Sequence, residues 1–245
     1  MSAGPGLDLS VVIPVYNEER RLSAALEDVF GHLSGLAQTW EVIVVDDGSR
    51  DATADVVRSW QRRQPGLVFL RLPRNQGKGA AVRRGMLQAR GRVRLFRDAD
   101  SSCAMKELDG FLPDLARGAP VVIASRRVAG ASFKDRQPWL RETCGRAFTL
   151  LCRFLLVWEV RDYTCGFKAF SGEAAERIFS RQRISRWAFD AEILFLAKAL
   201  GYPIVQRPVT WSHDPGTKVR LVRDALLSFW EILRIRANSA LGRYR

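Results

Sequence analysis

Asp98-Ala99-Asp100 sets two carboxylates one residue apart, just after the apolar run Val93-Arg-Leu-Phe96. Side chains so spaced can reach one hard cation, directly or through water. Magnesium and manganese take such oxygen ligands and keep waters and substrate phosphates in their shells. A cation there neutralises charge developing on a departing diphosphate. Alone the pattern is weak, because D-x-D also occurs in solvated turns. Asp46-Asp47-Gly48-Ser49 is a second acidic turn behind an apolar run. One of its carboxylates could meet a nucleotide base or ribose. The plainer reading is a strand-to-helix turn with Ser49 or Asp51 as helix cap. Pro14, Tyr16, Asn17 and Glu18 close the first apolar run, where Tyr16 could stack on a base or simply pack. Gly77-Lys78-Gly79 lacks the full G-x-x-x-x-G-K-[ST] pattern, so an ATPase reading fails. It reads as a tight turn at a helix N-terminus lining the nucleotide pocket. Cys103 has no His near it in sequence and is given no chemistry.

Short apolar runs predict the elements that position these residues. Strands are expected at 9–15, 41–45, 67–71, 93–96 and 121–124, and helices at about 18–36, 51–63, 77–89 and 108–116. Alternating strands and helices with short apolar strands argue for an α/β fold with a mostly parallel sheet covered on both faces. Ligands of such sheets bind beyond the carboxyl ends of the strands, where both acidic turns fall. The second half reads as a mobile polar loop at 130–142, an apolar helix at 143–158 and a strand or turn at 163–170. A helix at 186–200, a strand at 203–211 and a long amphipathic helix from Lys218 to about Ala240 follow. The expected organisation is a disordered 1–8, one domain over 9–217 and a basic C-terminal helix over 218–245, with no internal repeat.

Composition bounds the partners. Lys and Arg number 39 against 26 Asp and Glu, a formal charge of +13, and Arg supplies most of it. Such a chain seeks polyanions: nucleic acid, anionic lipid or phosphorylated substrates. No nucleic-acid motif is present, and the Asp pairs would repel phosphate without a metal, so no nucleic-acid partner is expected. The four cysteines, at 103, 144, 152 and 165, make no C-x-x-C pair, and only two His occur, which argues against structural zinc. Residues 1–8 show no signal-peptide pattern, and no run reaches the ~20 apolar residues of a membrane span.

Taken in order, Ser10-Val-Val-Ile-Pro-Val-Tyr-Asn-Glu-Glu19, Val44-Val-Asp-Asp-Gly-Ser49 and Asp98-Ala99-Asp100 resemble the signature of glycosyltransferase family 2, of GT-A (Rossmann-like) fold. Asn75-Gln-Gly-Lys-Gly79, Ser125-Arg126, Cys165-Gly-Phe-Lys-Ala-Phe170, Arg186-Trp-Ala-Phe-Asp-Ala-Glu192 and Gly216-Thr-Lys218 look like its dolichyl-phosphate β-glucosyltransferase branch. Dolichyl-phosphate mannose synthases are the near relatives. They usually carry a Gln shortly after the Asp pair, where this chain has Ser101-Ser102-Cys103. The resemblance spans about residues 9 to 240.

It implies an inverting enzyme with UDP-glucose as donor, a polyprenyl phosphate as acceptor and Mg2+ or Mn2+ as cofactor. Pro14, Tyr16, Glu18, Asp47, Lys78, Asp98 and Ala99 fall where the family holds the nucleotide-sugar, and Asp98 and Asp100 where it holds the metal. Arg126 and Arg141 fall at the acceptor phosphate, and Lys218 at a basic position closing over the phosphates. Asp190 lies where many inverting relatives place a carboxylate base. A phosphate acceptor is already ionised and scarcely needs a base, so positioning a sugar hydroxyl or an Arg is the alternative role. Arg126 and Arg141 could grip the acceptor phosphate bidentately; solvated charge is the commoner fate of Arg.

A polyprenyl acceptor places the enzyme peripherally on the cytoplasmic face of a membrane. Residues 147–158 and 219–236 combine apolar and Trp side chains with Arg, as a helix lying in an anionic headgroup layer does. Either segment could instead pack as plain core. Competing readings are mannosyl transfer to a polyprenyl phosphate, another family 2 sugar transfer, and a non-catalytic polyanion-binding protein.

Overall fold

The computed structural model describes residues 7–100, 102–135, 139–214 and 221–245, without the side chains of 140, 141 and 221–223. Its centre is a seven-stranded sheet in the order β3-β2-β1-β4-β7-β5-β8. The strands are β1 (Leu9–Val15), β2 (Trp40–Asp46), β3 (Leu67–Arg71), β4 (Val93–Arg97), β5 (Val121–Ser125), β7 (Phe167–Ser171) and β8 (Ile204–Pro208). A separate parallel pair joins β6 (Ser132–Phe133) to β9 (Thr210–Trp211). All pairings in the large sheet are parallel except those of β7, which runs antiparallel to β4 and β5.

Side chains alternate across the sheet, and each face has its own core. Val12, Ile43, Val45 and Phe96 point to one face, with helices α3 (Lys78–Gln88), α6 (Gly172–Arg181) and α7 (Phe189–Ala199) packed there. Helices α5 (Trp139–Leu155) and α8 (Leu221–Ala240) extend that layer. Val11, Ile13, Val42 and Val44 point to the other face, under α1 (Leu22–Leu33) and α2 (Thr53–Gln61). Strands buried on both sides are continuously apolar, which is why β1 and β2 were legible.

Several expected boundaries move. Helix α1 starts at Leu22, because Asn17 turns the chain at φ 52° and residues 18–21 form a turn. Segment 108–116 divides into a 3-10 turn (Met105–Gly110) and the short α4 (Leu112–Ala116), with Pro113 in its first turn. Segment 130–142 contains β6 and the start of α5. The strand expected at 203–211 divides at Pro208, beyond which the chain pairs with β6. Helix α6 went unread, although Ser171 caps it by accepting the Ala174 N–H at 3.2 Å. Leu7 and Asp8, expected in a disordered terminus, are tied in. The Leu7 carbonyl accepts the Arg92 N–H at 2.9 Å, and the Asp8 carboxylate accepts the Thr39 N–H at 2.9 Å.

The loop after β4 is fastened from beneath by Arg97, whose side chain is 1% exposed. Its guanidinium donates to the carbonyls of Asp98 and Asp100, each at 3.2 Å, and to the Asp28 carboxylate of α1 at 2.6 Å. Asp28 also accepts the Met105 N–H at 2.9 Å, so one carboxylate holds both ends of the loop. Asp28 is partly exposed, but removing it leaves the buried Arg97 charge without a carboxylate. Asp28→Ala is therefore expected to lower unfolding stability by about 3 kcal/mol, measured by urea denaturation. Loss of under 0.5 kcal/mol, the scale of an ordinary surface substitution, would show that Arg97 does not depend on Asp28.

Candidate active site

Strands β1, β2, β4 and β5 end at one edge of the sheet, and antiparallel β7 begins there. Arg97 at the end of β4 lies opposite Phe167 at the start of β7. This reversal brings Cys165-Gly166 beside the acidic loop, where the Asp98 N–H donates to the Gly166 carbonyl at 2.9 Å. A Cβ at residue 166 would collide with the Asp98 carboxylate, so any larger residue there would displace that carboxylate. Asp100 accepts the Ser102 N–H at 3.2 Å. The Ser102 carbonyl in turn accepts the Ser212 N–H at 3.0 Å, tying the loop to the segment after β9. Ala99 is buried in the core beneath.

Lys78 meets this loop from the first turn of α3. Its Nζ lies 2.6 Å from Asp98 Oδ1, between the rings of Trp187 and Phe189. Gly77 supplies the turn at φ 107°, and a Cβ there would strike the Ser185 carbonyl. Asp47 holds the same turn by accepting the N–H groups of Gln76 and Gly77 at 2.7 and 2.8 Å. Both its oxygens thus serve the loop carrying Lys78, a task not apparent in the sequence.

Asp190 enters from the first turn of α7 and is buried. Its partner is neither an Arg nor solvent but Lys168 on β7, a residue missed in the sequence, with Nζ at 2.5 Å. Lys168 is fully buried and also donates to the carbonyls of Tyr163 and Cys165 at 3.0 and 2.7 Å. Its signal was present in Cys165-Gly-Phe-Lys-Ala-Phe170, a lysine inside a strand with no solvent-facing side.

The charges of this group act on one another. Burial pushes the Asp100 carboxyl above its ordinary range and Asp98 adds to that, against the Ser102 N–H and Lys78. Burial raises Asp190 as well, opposed by Lys168 and Lys78. Burial alone would lower Lys78, but Asp98, Asp190 and Asp100 carry it above the usual lysine range. Burial also raises Asp47, against its two backbone donors.

The proposed nucleotide side lies at the ends of β1 and β2. Pro14 is buried in β1 opposite Val45. Asn17 donates its N–H to Ser49 Oγ at 2.8 Å, and the Glu18 N–H donates to Thr53 Oγ1 at 2.7 Å, joining the two strand ends. The Glu18 carboxylate accepts from Nε and Nη2 along one edge of the Arg21 guanidinium, each at 2.9 Å, and Arg21 Nη1 reaches Asp214 at 3.0 Å. Tyr16 lies half-buried beside them.

Arg126 has protein partners of its own. Its Nε and Nη2 already grip Asp162 at 2.7 and 2.8 Å, Nη2 also donates to Thr164 at 2.8 Å, and the guanidinium sits 5.3 Å from the Trp211 ring centroid. An acceptor phosphate would share this guanidinium with Asp162, with Nη1 the nitrogen that has no carboxylate among the described residues. Arg141 and Lys218 were also expected here; the Arg141 side chain and all of Lys218 lie outside the described residues.

Asp98 and Asp100 suit a magnesium or manganese ion. Asp98 Oδ1 is buried and accepts no well-directed hydrogen bond, only the nearby Lys78 ammonium. Among the described residues no three Asp, Glu, His or Cys converge as a ready-made ligand set. Two carboxylates that leave most of the shell to water and phosphate oxygens match the habits of these cations, not of zinc.

A sequence profile of glycosyl transferase family 2 matches residues 10–179, and the chain belongs to that family. It is 35% identical over 246 residues to the dolichyl-phosphate beta-glucosyltransferase of Dictyostelium discoideum, covering 96% of this chain and 75% of that protein. The Drosophila melanogaster protein of the same name is 36% identical, covering 94% and 73%. The Homo sapiens protein is 34% identical with the same coverage. Among solved structures, glucosyl-3-phosphoglycerate synthase of Mycobacterium tuberculosis superposes with a TM-score of 0.69 at 20% identity, over 94% of this chain and 80% of that one. Its complex with Mn2+, uridine diphosphate and glucosyl-3-phosphoglycerate superposes with a TM-score of 0.67 at 20% identity, over 97% and 80%. These structures share the GT-A arrangement of a mostly parallel sheet flanked by helices.

Two pairs can be tested directly. Burial opposes ionisation of Asp162, but Arg126, with help from Arg127, holds its carboxyl down at about 2. A depressed folded-state value adds stability above the unfolded value of about 3.9 and loses it as pH falls toward 2. Between pH 5 and pH 2, Asp162→Asn should therefore lose less stability than the parent, by about 2 kcal/mol; parallel pH curves would refute the pairing. Lys168→Met strands Asp190 and should cost about 3 kcal/mol, whereas Lys168→Met with Asp190→Leu should recover much of it. Additive losses in denaturant titrations would count against the coupling.

Proposed function

We propose that this chain moves glucose from UDP-glucose to the phosphate of a dolichyl-type polyprenol, with inversion at the anomeric carbon. The supporting observation is the convergence of Asp98, Asp100 and Lys78 at the carboxyl edge of the sheet. It occurs in a chain about a third identical, over nearly its whole length, to dolichyl-phosphate beta-glucosyltransferases. Asp98 and Asp100 would hold a divalent cation, which when bound would supply positive charge to the leaving diphosphate.

The protein's own groups do the rest. Lys78 stands at the N-terminus of α3, where the helix dipole adds to its charge, and favours the diphosphate oxygens. Tyr16, Glu18 and Asp47 border the nucleotide, with Asp47 also fixing the turn beneath Lys78. An acceptor phosphate oxygen attacks the anomeric carbon as the bond to the UDP oxygen breaks, and no proton need be removed. Asp190, committed to Lys168, is read as a positioning group that keeps the ammonium ions in place. Arg126 offers Nη1 to the incoming phosphate, oriented by Asp162, with Arg141 and Lys218 as further phosphate contacts.

The acceptor calls for a membrane. No described helix is long and apolar enough to cross one. Leu150 and Phe154 on α5, Trp158 beyond it, and Leu226 and Trp230 on α8 are exposed. We assign these faces to an anionic membrane surface on its cytoplasmic side.

The test is transfer from radiolabelled UDP-glucose to polyprenyl phosphate with manganese, alongside GDP-mannose as competing donor. Asp100→Ala should reduce transfer at least about a hundredfold, the scale of losing one preorganised contact to developing charge, with the thermal midpoint little changed. An unaffected rate would remove the metal assignment, and preferential use of GDP-mannose would remove the donor.

A further inference from the structure

Arginines gather at a second place. A hollow of about 400 Å³ is lined by Arg127, Arg146, Thr149, Leu150, Arg153 and Arg161. Arg127 follows β5, Arg161 precedes β7, and the other four lie on α5. Among the described residues Arg127, Arg153 and Arg161 form no ion pair, while Arg146 reaches Glu142 at 2.5 Å. Arg153 donates only to the Trp158 carbonyl and stacks on that ring at 4.3 Å. Burial and the charges of Arg126 and Arg146 push Arg127 below its ordinary value, outweighing Asp162 and Glu142. The Thr149 hydroxyl is buried on this wall, and its Oγ1 has no hydrogen-bond partner.

A buried hydroxyl without a partner is unfavourable, and so many guanidinium groups repel one another. An anion with several acceptor oxygens answers both needs, and phosphate fits the guanidinium fork. The rim names its carrier. Leu150, on the wall, is exposed, as are Phe154 and Trp158 beside it, so an anion entering here meets an apolar surface at the mouth.

We propose that this hollow binds the phosphate of an anionic membrane phospholipid, with its acyl chains against Leu150, Phe154 and Trp158. It deepens the reading that the chain works at a membrane, but makes the contact a defined headgroup site instead of diffuse attraction. It is separate from the donor site, since none of its lining residues belongs to the Lys78–Asp98–Asp100–Asp190 cluster.

The test is co-sedimentation of the full chain with phosphatidylcholine vesicles, with and without phosphatidylglycerol. Arg127→Gln with Arg161→Gln should weaken binding to the phosphatidylglycerol vesicles at least about tenfold. The control Arg62→Gln with Arg63→Gln, on the opposite face of the sheet, should change it less than about twofold, being distant from the surface that attracts it. Thr149→Val keeps the side chain's shape, should leave the thermal midpoint unchanged or higher, and should still weaken binding severalfold. Transfer to a short-chain polyprenyl phosphate in detergent should be the same for parent and pocket variants. Equal losses in control and pocket variants, or no loss in the pocket variants, would overturn the site. Loss of detergent transfer in the pocket variants would also overturn it, by assigning the hollow to the acceptor phosphate. If the parent itself transfers no glucose, the proposed activity fails, while the vesicle comparison still decides the headgroup site.

Discussion

Asp98 stands within electrostatic reach of both Asp100 and Asp190 in a largely buried space, and this crowding of three carboxylates constrains the groups around them. At an effective dielectric near 20, two like charges 4 Å apart repel by about 4 kcal/mol. The fold offsets that repulsion with two ammonium ions, Lys78 from α3 and Lys168 from β7, each on a different carboxylate. The balance stays one charge negative, which is what a site needs if a divalent cation and a nucleoside diphosphate are to arrive together. A fully neutralised cluster would attract the cation less. An uncompensated one would protonate its carboxylates.

The sheet's one reversed strand makes this balance possible. In an all-parallel order, the start of β7 would sit at the far edge, and Gly166 and Lys168 with it. Running antiparallel between β4 and β5, β7 delivers a glycine that lets Asp98 lie close and a lysine that holds Asp190. Arg97 and Asp28 then fix the acidic loop from the opposite face. The site's geometry is therefore secured by residues that need never touch substrate.

What could be read from the sequence follows the same division. Strands β1, β2 and β5 were legible because both of their faces are buried and their runs are largely apolar, whereas β3 and β4 were read from short apolar runs that end in Arg71 and Arg97. The Asp98-Ala99-Asp100 pair was legible because its residue types and its place after a strand carry the chemistry. Residue roles set by tertiary partners were not. Asp47 binds a loop 29 residues away, Arg126 is claimed by Asp162 at a separation of 36, and Lys168 by Asp190 at 22. No local pattern announces such pairings. Helix α6 is a different kind of miss: Ser171 and the apolar residues 174, 175, 178 and 179 form a readable capped helix.

The same reasoning sorts the arginines that give the chain its positive charge. Arg97 and Arg126 have bidentate or multiple protein acceptors and are parts of the architecture. Among the described residues Arg127, Arg153 and Arg161 have no carboxylate in an ion pair, and they share one hollow beside exposed aromatic and aliphatic side chains. A guanidinium with a carboxylate already in its fork has less left to give a phosphate than one without such a partner. Net charge alone says that the protein favours anions. The distribution of partners says where they can bind, and among the described residues it separates Arg126, held by Asp162, from Arg127, Arg153 and Arg161, which have no carboxylate in their forks.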